Sequence, residues 1–330
     1  ASGVDGFPSS DLDPILQISC SFQPRNKDVT HASGCVLSLN GAGGVYAKDS
    51  EDSEDSKDSK DAGDVTINED FLYEEFETER GLLVRFVQMV RSFDPDFITG
   101  WNVLNFDLDY IVTRAKHLNV RLGLGRDGSQ PKTYTKESNS RAHGTRVTKM
   151  CDVYGRIVFD SLNAFQKILN EPSYKLQSIA MKYLGTGKDD MPYSEILPSM
   201  LTQSGRLRVA RYCYKDSYLV LRILQNRKLI LRYSGISKAT SAPLWKVIHG
   251  GQQIRCLSAF IQEIYSSDLA FAFPNVSLDE SRGYQGATVL TPRKGATDGC
   301  MACLDFASLY PSIIIAYNIC FSTLTTCAEP

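Results

Sequence analysis

The sequence predicts an α/β protein, because segments with helical periodicity alternate along the chain with short apolar segments typical of strands. Three apolar runs, at 13–22, 36–39 and 97–101, predict strands. Apolar residues keep helical spacing across 75–93 and again across 207–231. The chain has 330 residues, which is enough for two or more domains with a sizeable core.

The remaining elements follow from local signals. The dipeptide Asp94-Pro95 ends the first long helix, because the residue before a proline disfavours helical geometry. Glu171-Pro172 separates two further helices in the same way. In chain order we expect a helix at 108–117, a hairpin over 145–159 with Gly155 near its turn, and helices at 160–169 and 174–184.

The charge is unevenly distributed. The net charge is −2, but residues 48–64 alone carry eight acidic residues and three lysines. The rest of the chain is therefore weakly basic. The acidic tract lacks the apolar residues that a packed core needs, so we expect a disordered surface insertion. Three basic stretches, at 141–149, 206–211 and 222–232, could bind nucleic acid or could equally be solvated faces.

The composition also excludes some classes of protein. No apolar run reaches membrane-spanning length, and the N-terminus lacks a signal-peptide pattern. The nine cysteines are scattered and odd in number, which is typical of a reducing compartment. Cys300 and Cys303 form one C-x-x-C pair in a chain with four histidines, so chance explains the pair better than zinc binding.

One carboxylate stands at a predicted strand-to-helix junction near the C-terminus. Residues 301–304 predict a buried strand, and 312–317 predict the start of a helix that accepts Pro311 in its first turn. Asp305 lies between them. Taken alone, an aspartate in this position is most often a helix cap.

Two further carboxylates stand out. Asp107 follows a predicted buried strand and opens a helix, which is again a common position for a cap. Asp216 lies four residues after Tyr212 in a predicted helix, so both side chains share one helical face. That pair could simply form a hydrogen bond.

Taken in order, these residues resemble motifs of family B DNA polymerases. The nine residues 305–313, Asp-Phe-Ala-Ser-Leu-Tyr-Pro-Ser-Ile, resemble the first palm motif, motif A. Residues 102–107 resemble the second exonuclease motif, N-x-x-x-F-D, and 212–216 resemble the third, Y-x-x-x-D. Weaker matches are Ser173-Tyr174-Lys175-Leu176, the Gly-Gln-Gln at 251–253 and the Tyr-Gln-Gly-Ala at 284–287.

The resemblance implies a fold and a division into domains. Residues 1–232 would form a ribonuclease-H-like 3′–5′ exonuclease domain interrupted by the insertion at 48–64. Residues 233–330 would begin a polymerase palm and end after motif A. The implied function is that of a DNA-directed DNA polymerase with a proofreading 3′–5′ exonuclease. Both activities would use two-metal phosphoryl transfer, with two Mg²⁺ ions in each active site.

The resemblance also assigns roles to individual residues. In the palm, Asp305 would bind metal, while Phe306, Ser308, Leu309 and Tyr310 would contact the nucleotide, Tyr310 as the gate against ribose. In the exonuclease, Asp107 and Asp216 would bind metal and Tyr212 would orient the attacking water. The residues expected to contact DNA are Asn102, Phe106, Gly251, Gln252, Gln253, Tyr284, Gly286 and Ala287.

The resemblance implies partners as well. These are a DNA primer-template, deoxynucleoside triphosphates and a processivity factor, with no membrane. The Gly-Gln-Gln element resembles that of the delta and herpesvirus-type members. The resemblance as a whole implies a herpesvirus-like enzyme that replicates a viral genome in the host nucleus.

The chain departs from the family pattern in three motifs. The first exonuclease motif, a D-x-E on the leading strand, is absent, and so are the later palm motifs, K-x-x-x-N-S-x-Y-G and D-T-D-S. Because each active site then keeps only part of its carboxylate set, we expect a partial chain that is inactive alone. Two alternatives stay open: a stand-alone 3′–5′ exonuclease, and a catalytically dead DNA-binding or scaffolding relative.

Overall fold

The computed structural model divides the chain into two compact units, Ala1–Ile254 and Arg255–Pro330, which are described separately. It describes residues 8–24, 27–40, 71–140, 144–267, 286, 288–292, 294–296, 298–320 and 323. The acidic tract at 48–64 and the predicted DNA-contacting residues Tyr284 and Ala287 lie outside the described residues.

The first unit combines short strands with helices, as the sequence predicts. Its described strands are β1 (Gln17–Phe22), β2 (Ser33–Leu39), β3 (Phe71–Phe76), β4 (Phe97–Gly100), β5 (Lys132–Ser140), β6 (Gly144–Asp152) and β7 (Ile157–Asp160). Its described helices are α1 (Glu79–Phe93), α2 (Asp107–His117), α3 (Ser161–Ile168), α4 (Leu176–Leu184), α5 (Tyr193–Met200), α6 (Gln203–Asn226), α7 (Leu229–Thr240) and α8 (Leu244–His249).

The strand β2 is the centre of a three-stranded sheet. It pairs antiparallel with β1 and parallel with β3. Helices cover both of its faces: Leu37 is buried in the core that includes α1 and α2, and Val36 is buried against Ala210 and Tyr214 of α6. An apolar run at these positions therefore reflects burial on two sides, which explains why the sequence does not alternate.

The predicted hairpin over 145–159 is wrong. The strand β6 pairs antiparallel with β5, whereas β7 pairs parallel with β4. Gly155 does form a tight turn, with a positive φ of 73°. The sequence of β5 is polar, so neither its hydrophobic periodicity nor its composition indicates a strand. The pairing of β6 with β5 was therefore not predicted.

The first long helix begins later than predicted. Residues 75 and 76 end β3, and α1 starts only after Thr78, whose Oγ1 accepts a hydrogen bond from the Gly81 amide at 3.1 Å. Glu75 is held instead by Arg206, whose Nε lies 2.9 Å from its Oε1. This long-range ion pair places the segment in the sheet, which local periodicity could not reveal.

The helix expected at 207–231 is divided into α6 and α7. Lys228 interrupts it in the left-handed region, with φ of 50°. The apolar side of α7 and of α8 packs into one core with Phe159 and Phe165, where Val247 is fully buried. The proposed boundary after residue 232 falls inside α7, and the core that contains α7 and α8 continues beyond it.

The second unit contains α10 (Leu309–Ala316) and most of α9 (Gln252–Ser266). The first residues of α9 belong to the first unit. The strand predicted at 301–304 is wrong, because these described residues are exposed and lie outside any strand. An apolar run becomes a strand only where a neighbouring strand supplies hydrogen bonds. None of the helices in the described ranges is both long and apolar enough to cross a membrane.

Candidate active site

The turn between β4 and α2 positions the first candidate carboxylate. Asn102 adopts a positive φ of 68°, and its carbonyl accepts hydrogen bonds from the amides of Asn105 and Phe106 at 3.2 and 3.1 Å. The helix then starts at Asp107. Among the described residues Phe106, not Asp107, occupies the cap position, so the simple capping role considered for Asp107 does not apply.

Asp107 is exposed at the first position of α2. Desolvation by nearby protein atoms nevertheless raises its pKa to about 6, and repulsion from Asp160 adds to this. Close to neutral pH, a fraction of the Asp107 carboxyl groups is therefore protonated unless a cation lies nearby.

Asp160, at the end of β7, is a residue that the sequence analysis missed. Its side chain is buried and accepts hydrogen bonds from the amides of Leu104 and Asn163, each at 3.2 Å. Burial raises its pKa, and the backbone hydrogen bonds counteract this. Asp160 therefore fixes the turn that carries Asp107. Its position after a buried strand and before a helix is the same signal that marked Asp107.

The helix α6 positions the second candidate carboxylate. Asp216 Oδ2 lies 2.6 Å from Lys188 Nζ, and Asp216 Oδ1 is buried without a hydrogen-bond partner among the described residues. Burial raises the pKa of Asp216, while the hydrogen bond from Lys188 opposes that shift. Asp216 Oδ1 is thus a buried acceptor without a hydrogen-bond partner among the described residues, which is unusual for a carboxylate.

Lys188 is the second residue that the sequence analysis missed. Its Nζ lies 3.4 Å from the Tyr212 hydroxyl and 5.4 Å from the centre of the Tyr212 ring. Burial disfavours its charge, but the hydrogen bond and the attraction to Asp216 prevail and raise its pKa. Lys188 thus links Tyr212 to Asp216. It precedes Asp216 by 28 positions on a separate segment, so spacing gave no signal for it.

Both candidate carboxylates influence the charge of Cys213 in α6. Burial raises the pKa of the Cys213 thiol to about 12, and Asp216 and Asp107 both contribute to that shift. Asp107 also contributes to the raised pKa of Cys20 on β1, after burial and the thiols of Cys35 and Cys213. Asp107 of α2 therefore lies within electrostatic range of Cys213, and Tyr212 and Asp216 are on the same helix as that cysteine.

The side chains around Asp107 and around Asp216 meet only part of what a divalent cation requires. Carboxylate oxygens are suitable ligands for such ions, and Asp216 Oδ1 lacks a partner within the described ranges. However, those ranges contain no group of three or more histidine, cysteine, aspartate or glutamate side chains placed to hold a metal ion. The described residues alone thus supply fewer ligands than a two-metal site needs.

The motif A residues lie in the second unit. Asp305, Phe306 and Tyr310 are all exposed. Ser308 has a positive φ of 54° and immediately precedes α10, and Leu309 begins that helix. Pro311 falls in its first turn, as predicted.

The residues expected to contact DNA are exposed or partly exposed where the structure describes them. Phe106 is 36% exposed and its ring lies 5.7 Å from that of Tyr110. Gly251, Gln252 and Gln253 are exposed at the start of α9, and Gly286 is exposed in an irregular segment. These positions leave the side chains accessible to a large ligand.

Comparisons with known proteins identify the class. A family model described as "DNA polymerase family B, exonuclease domain" matches residues 2–179, and one described as "DNA polymerase family B" matches residues 242–329. Because the first match covers more than half of the chain, the chain belongs to the family B DNA polymerases. The expected order, an exonuclease domain followed by the start of a polymerase domain, is confirmed.

The relatives within that family are similar to the chain over most of its length. The DNA polymerase delta catalytic subunit of Caenorhabditis elegans is 38% identical over 251 residues, which is 74% of this chain and 23% of the relative. That of Plasmodium falciparum is 32% identical over 324 residues, which is 97% of this chain and 27% of the relative. The chain thus spans about a quarter of the length of these relatives.

These relatives correct one expectation. They are eukaryotic polymerase delta catalytic subunits, so the herpesvirus-like resemblance is replaced by a likeness to polymerase delta. Viral genome replication and a site of action in a host nucleus depended on that resemblance and lose their support. Both the delta and the herpesvirus-type members shared the Gly-Gln-Gln element, so this element could not separate them.

Proposed function

We propose that the chain belongs to a replicative DNA polymerase catalytic subunit of the delta type, with 3′–5′ proofreading of a primer-template. Family membership supports the class. The observation that supports proofreading most directly is the group of Asp216, Lys188 and Tyr212, with Asp107 within electrostatic range of Cys213 on the helix that carries Asp216. Three separate segments of the chain supply these side chains.

In the editing site, Asp107 and Asp216 would hold two Mg²⁺ ions together with ligands outside the described residues. Bound ions would neutralise the phosphate and activate the attacking water. The protein's own contribution is positioning. Asp160 fixes the turn that presents Asp107, and Lys188 orients both the Asp216 carboxylate and the Tyr212 hydroxyl. Tyr212 would then orient the water, while Asn102 and Phe106 would support the unpaired primer end.

In the synthesis site, Asp305 would hold two Mg²⁺ ions. The Phe306 carbonyl would face one of them, and the amides of Ser308 and Leu309 would bind the triphosphate at the start of α10. Tyr310 would lie beneath the incoming sugar. The left-handed backbone at Ser308 supports this role, because it turns successive amides towards one side at a helix start.

The DNA would pass the exposed Gly251, Gln252 and Gln253, with Tyr284, Gly286 and Ala287 proposed as contacts by resemblance. Deoxynucleoside triphosphates are the proposed second substrate, and a processivity factor the proposed protein partner. Binding is expected to depend strongly on salt and little on base sequence, because phosphate contacts dominate.

The test uses the full reading frame that contains this chain. We expect Asp107→Ala to remove 3′–5′ digestion of a mismatched primer while primer extension continues, and Asp305→Ala to remove extension while digestion continues. Asp109→Ala is the matched control, because Asp109 is on the same helix but pairs with Lys149 at 2.6 Å. Unchanged digestion by the Asp107 variant would contradict the proposal.

The same experiment separates the alternatives. A wild-type protein that digests but does not extend a primer would be a stand-alone exonuclease. One that binds DNA and does neither would be a catalytically dead relative.

A further inference from the structure

The helix α8 exposes a large aromatic side chain. Trp245 is 52% exposed, although tryptophan is usually well covered in a folded domain. The ammonium group of Lys246 lies 4.6 Å from the centre of the Trp245 ring. A cation at this distance attracts the face of the ring electrostatically, so the two side chains form one amphipathic surface.

The core holds this surface in place. On the other side of α8, Val247 is fully buried and Ile248 is 6% exposed. Lys167 Nζ donates a hydrogen bond to the Ile248 carbonyl at 3.2 Å, near the end of the helix. The backbone that carries Trp245 is therefore held in place. Binding of a ligand to the ring requires little further ordering of this backbone.

Further basic side chains lie near the C-terminal end of α8, where Lys167 contacts the Ile248 carbonyl. His249 follows Trp245 by four residues and Lys246 by three, so the three side chains lie on neighbouring rows of the helix. Burial lowers the pKa of His249, and Lys167 and Lys136 lower it further, while Asp152 opposes them. We call these five residues, Lys136, Lys167, Trp245, Lys246 and His249, the α8 patch.

We propose that the α8 patch binds single-stranded DNA, with one base stacked on Trp245 and neighbouring phosphates held by the lysines. This inference rests on the proposed function, since it assumes that the substrate is DNA. An exposed ring among cations complements the two parts of a single strand, the base and the phosphate. A duplex hides its base faces in stacking, so a single strand fits the patch better. The patch also continues into Gly250 and Gly251, and Gly251 is exposed.

Fluorescence provides a direct test, because the chain has two tryptophans. In a Trp101→Phe variant of the 330-residue chain, Trp245 is the remaining reporter. We expect oligo(dT) to quench its emission over the same concentration range that raises the anisotropy of a labelled oligo(dT). A duplex of equal length should quench it less.

Substitutions then measure the contribution of the patch. Trp245→Ala should weaken oligo(dT) binding about tenfold, a typical loss for one stacked base, whereas Trp245→Phe should largely retain binding. Lys246→Ala should reduce the salt dependence by about 0.7 in the log–log slope, the value for one phosphate of a single strand. Tyr154→Ala is the control, since Tyr154 is a 68% exposed aromatic residue outside the patch.

The outcomes distinguish this inference from the proposed function. If the wild-type chain binds oligo(dT) but Trp245 is not quenched and Trp245→Ala binds equally well, the α8 patch is not the binding surface and the proposed function stands. If the wild-type chain binds neither single-stranded nor duplex DNA, both fail. Thermal melting of each variant shows whether weaker binding reflects loss of folding.

Discussion

At the scale of single residues, the candidate active site destabilises the fold that carries it. Asp107 is an exposed carboxylate whose pKa is nevertheless raised to about 6, mainly by desolvation and then by repulsion from Asp160. Asp216 is similarly affected by burial and is partly compensated by Lys188. A loss of folding stability of this kind is typical of ionisable groups at functional sites.

A stability measurement can detect this cost at Asp107. Its pKa is higher in the folded chain than the ordinary value of 3.8, so the folded state binds more protons between about pH 4 and 6 and loses stability as the pH rises through that range. Asp107→Asn removes the charge. We expect the variant to be more stable by about 1 kcal/mol at pH 8, after allowance for solvent screening, and by almost nothing at pH 4.

The measurement is a series of thermal melts from pH 4 to pH 8 with a chelator present, so that bound cations do not contribute. Asp109→Asn is the matched control, because it removes a half-exposed ion pair with Lys149 and should leave stability unchanged or slightly lower. A stability gain for Asp107→Asn that stayed constant with pH would show that charge is not its cause.

Some of these residues could be identified from the sequence, and others could not. Asp107, Tyr212 and Asp216 carry local spacing signals. Asp160 has a comparable signal, since it lies between a buried strand and a helix. Lys188 had none, because its role depends on a contact with Asp216 that joins distant segments. Whether these residues act in catalysis stays a prediction.

At the scale of elements, β2 and α6 determine how the first unit is built. Packing of α6 against β2 requires a residue without a side chain at Gly34, since a Cβ there would overlap the ring of Tyr214, which is 2% exposed. Gly235 in α7 has a different environment. It is exposed, and within the described part of the chain nothing lies within 4 Å of the position its Cβ would take.

The two glycines therefore predict opposite effects of one substitution. Gly34→Ala should destabilise the chain by roughly 2–3 kcal/mol, because the sheet and α6 must separate or Tyr214 must leave its position. Gly235→Ala should stabilise it by roughly 0.5–1 kcal/mol, because alanine reduces the backbone entropy lost on forming α7. Urea unfolding measures both. Equal effects of the two substitutions would argue against this packing of α6.

At the scale of the whole molecule, all buried side chains of the described residues belong to the first unit. One of its cores joins Phe159 and Phe165 to Val247 and Ile248 of α8. The first unit therefore depends on segments beyond residue 232, where the sequence analysis placed the domain boundary.

Truncation tests the position of this boundary. A chain ending at Ile254 keeps every element of that core, so its main melting transition should lie within about 3 °C of that of the 330-residue chain. A chain ending at Arg232 lacks Ala242, Val247 and Ile248. It should melt roughly 10 °C lower or fail to fold, because several apolar contacts are lost. Equal stability of the two truncated chains would support the earlier boundary.

The sequence by itself determined the fold class, most of the helices and the positions of three aspartates, because helical periodicity, caps and short motifs are local properties of a chain. Only the tertiary structure decided that β7 pairs with β4, that residues 71–76 are a strand, that residue 228 divides a long helix, and that Lys188 neutralises Asp216. Each of these depends on groups far apart in the chain. Their hydrogen bonds and ion pairs form only once burial has brought the segments together, so no local pattern records them.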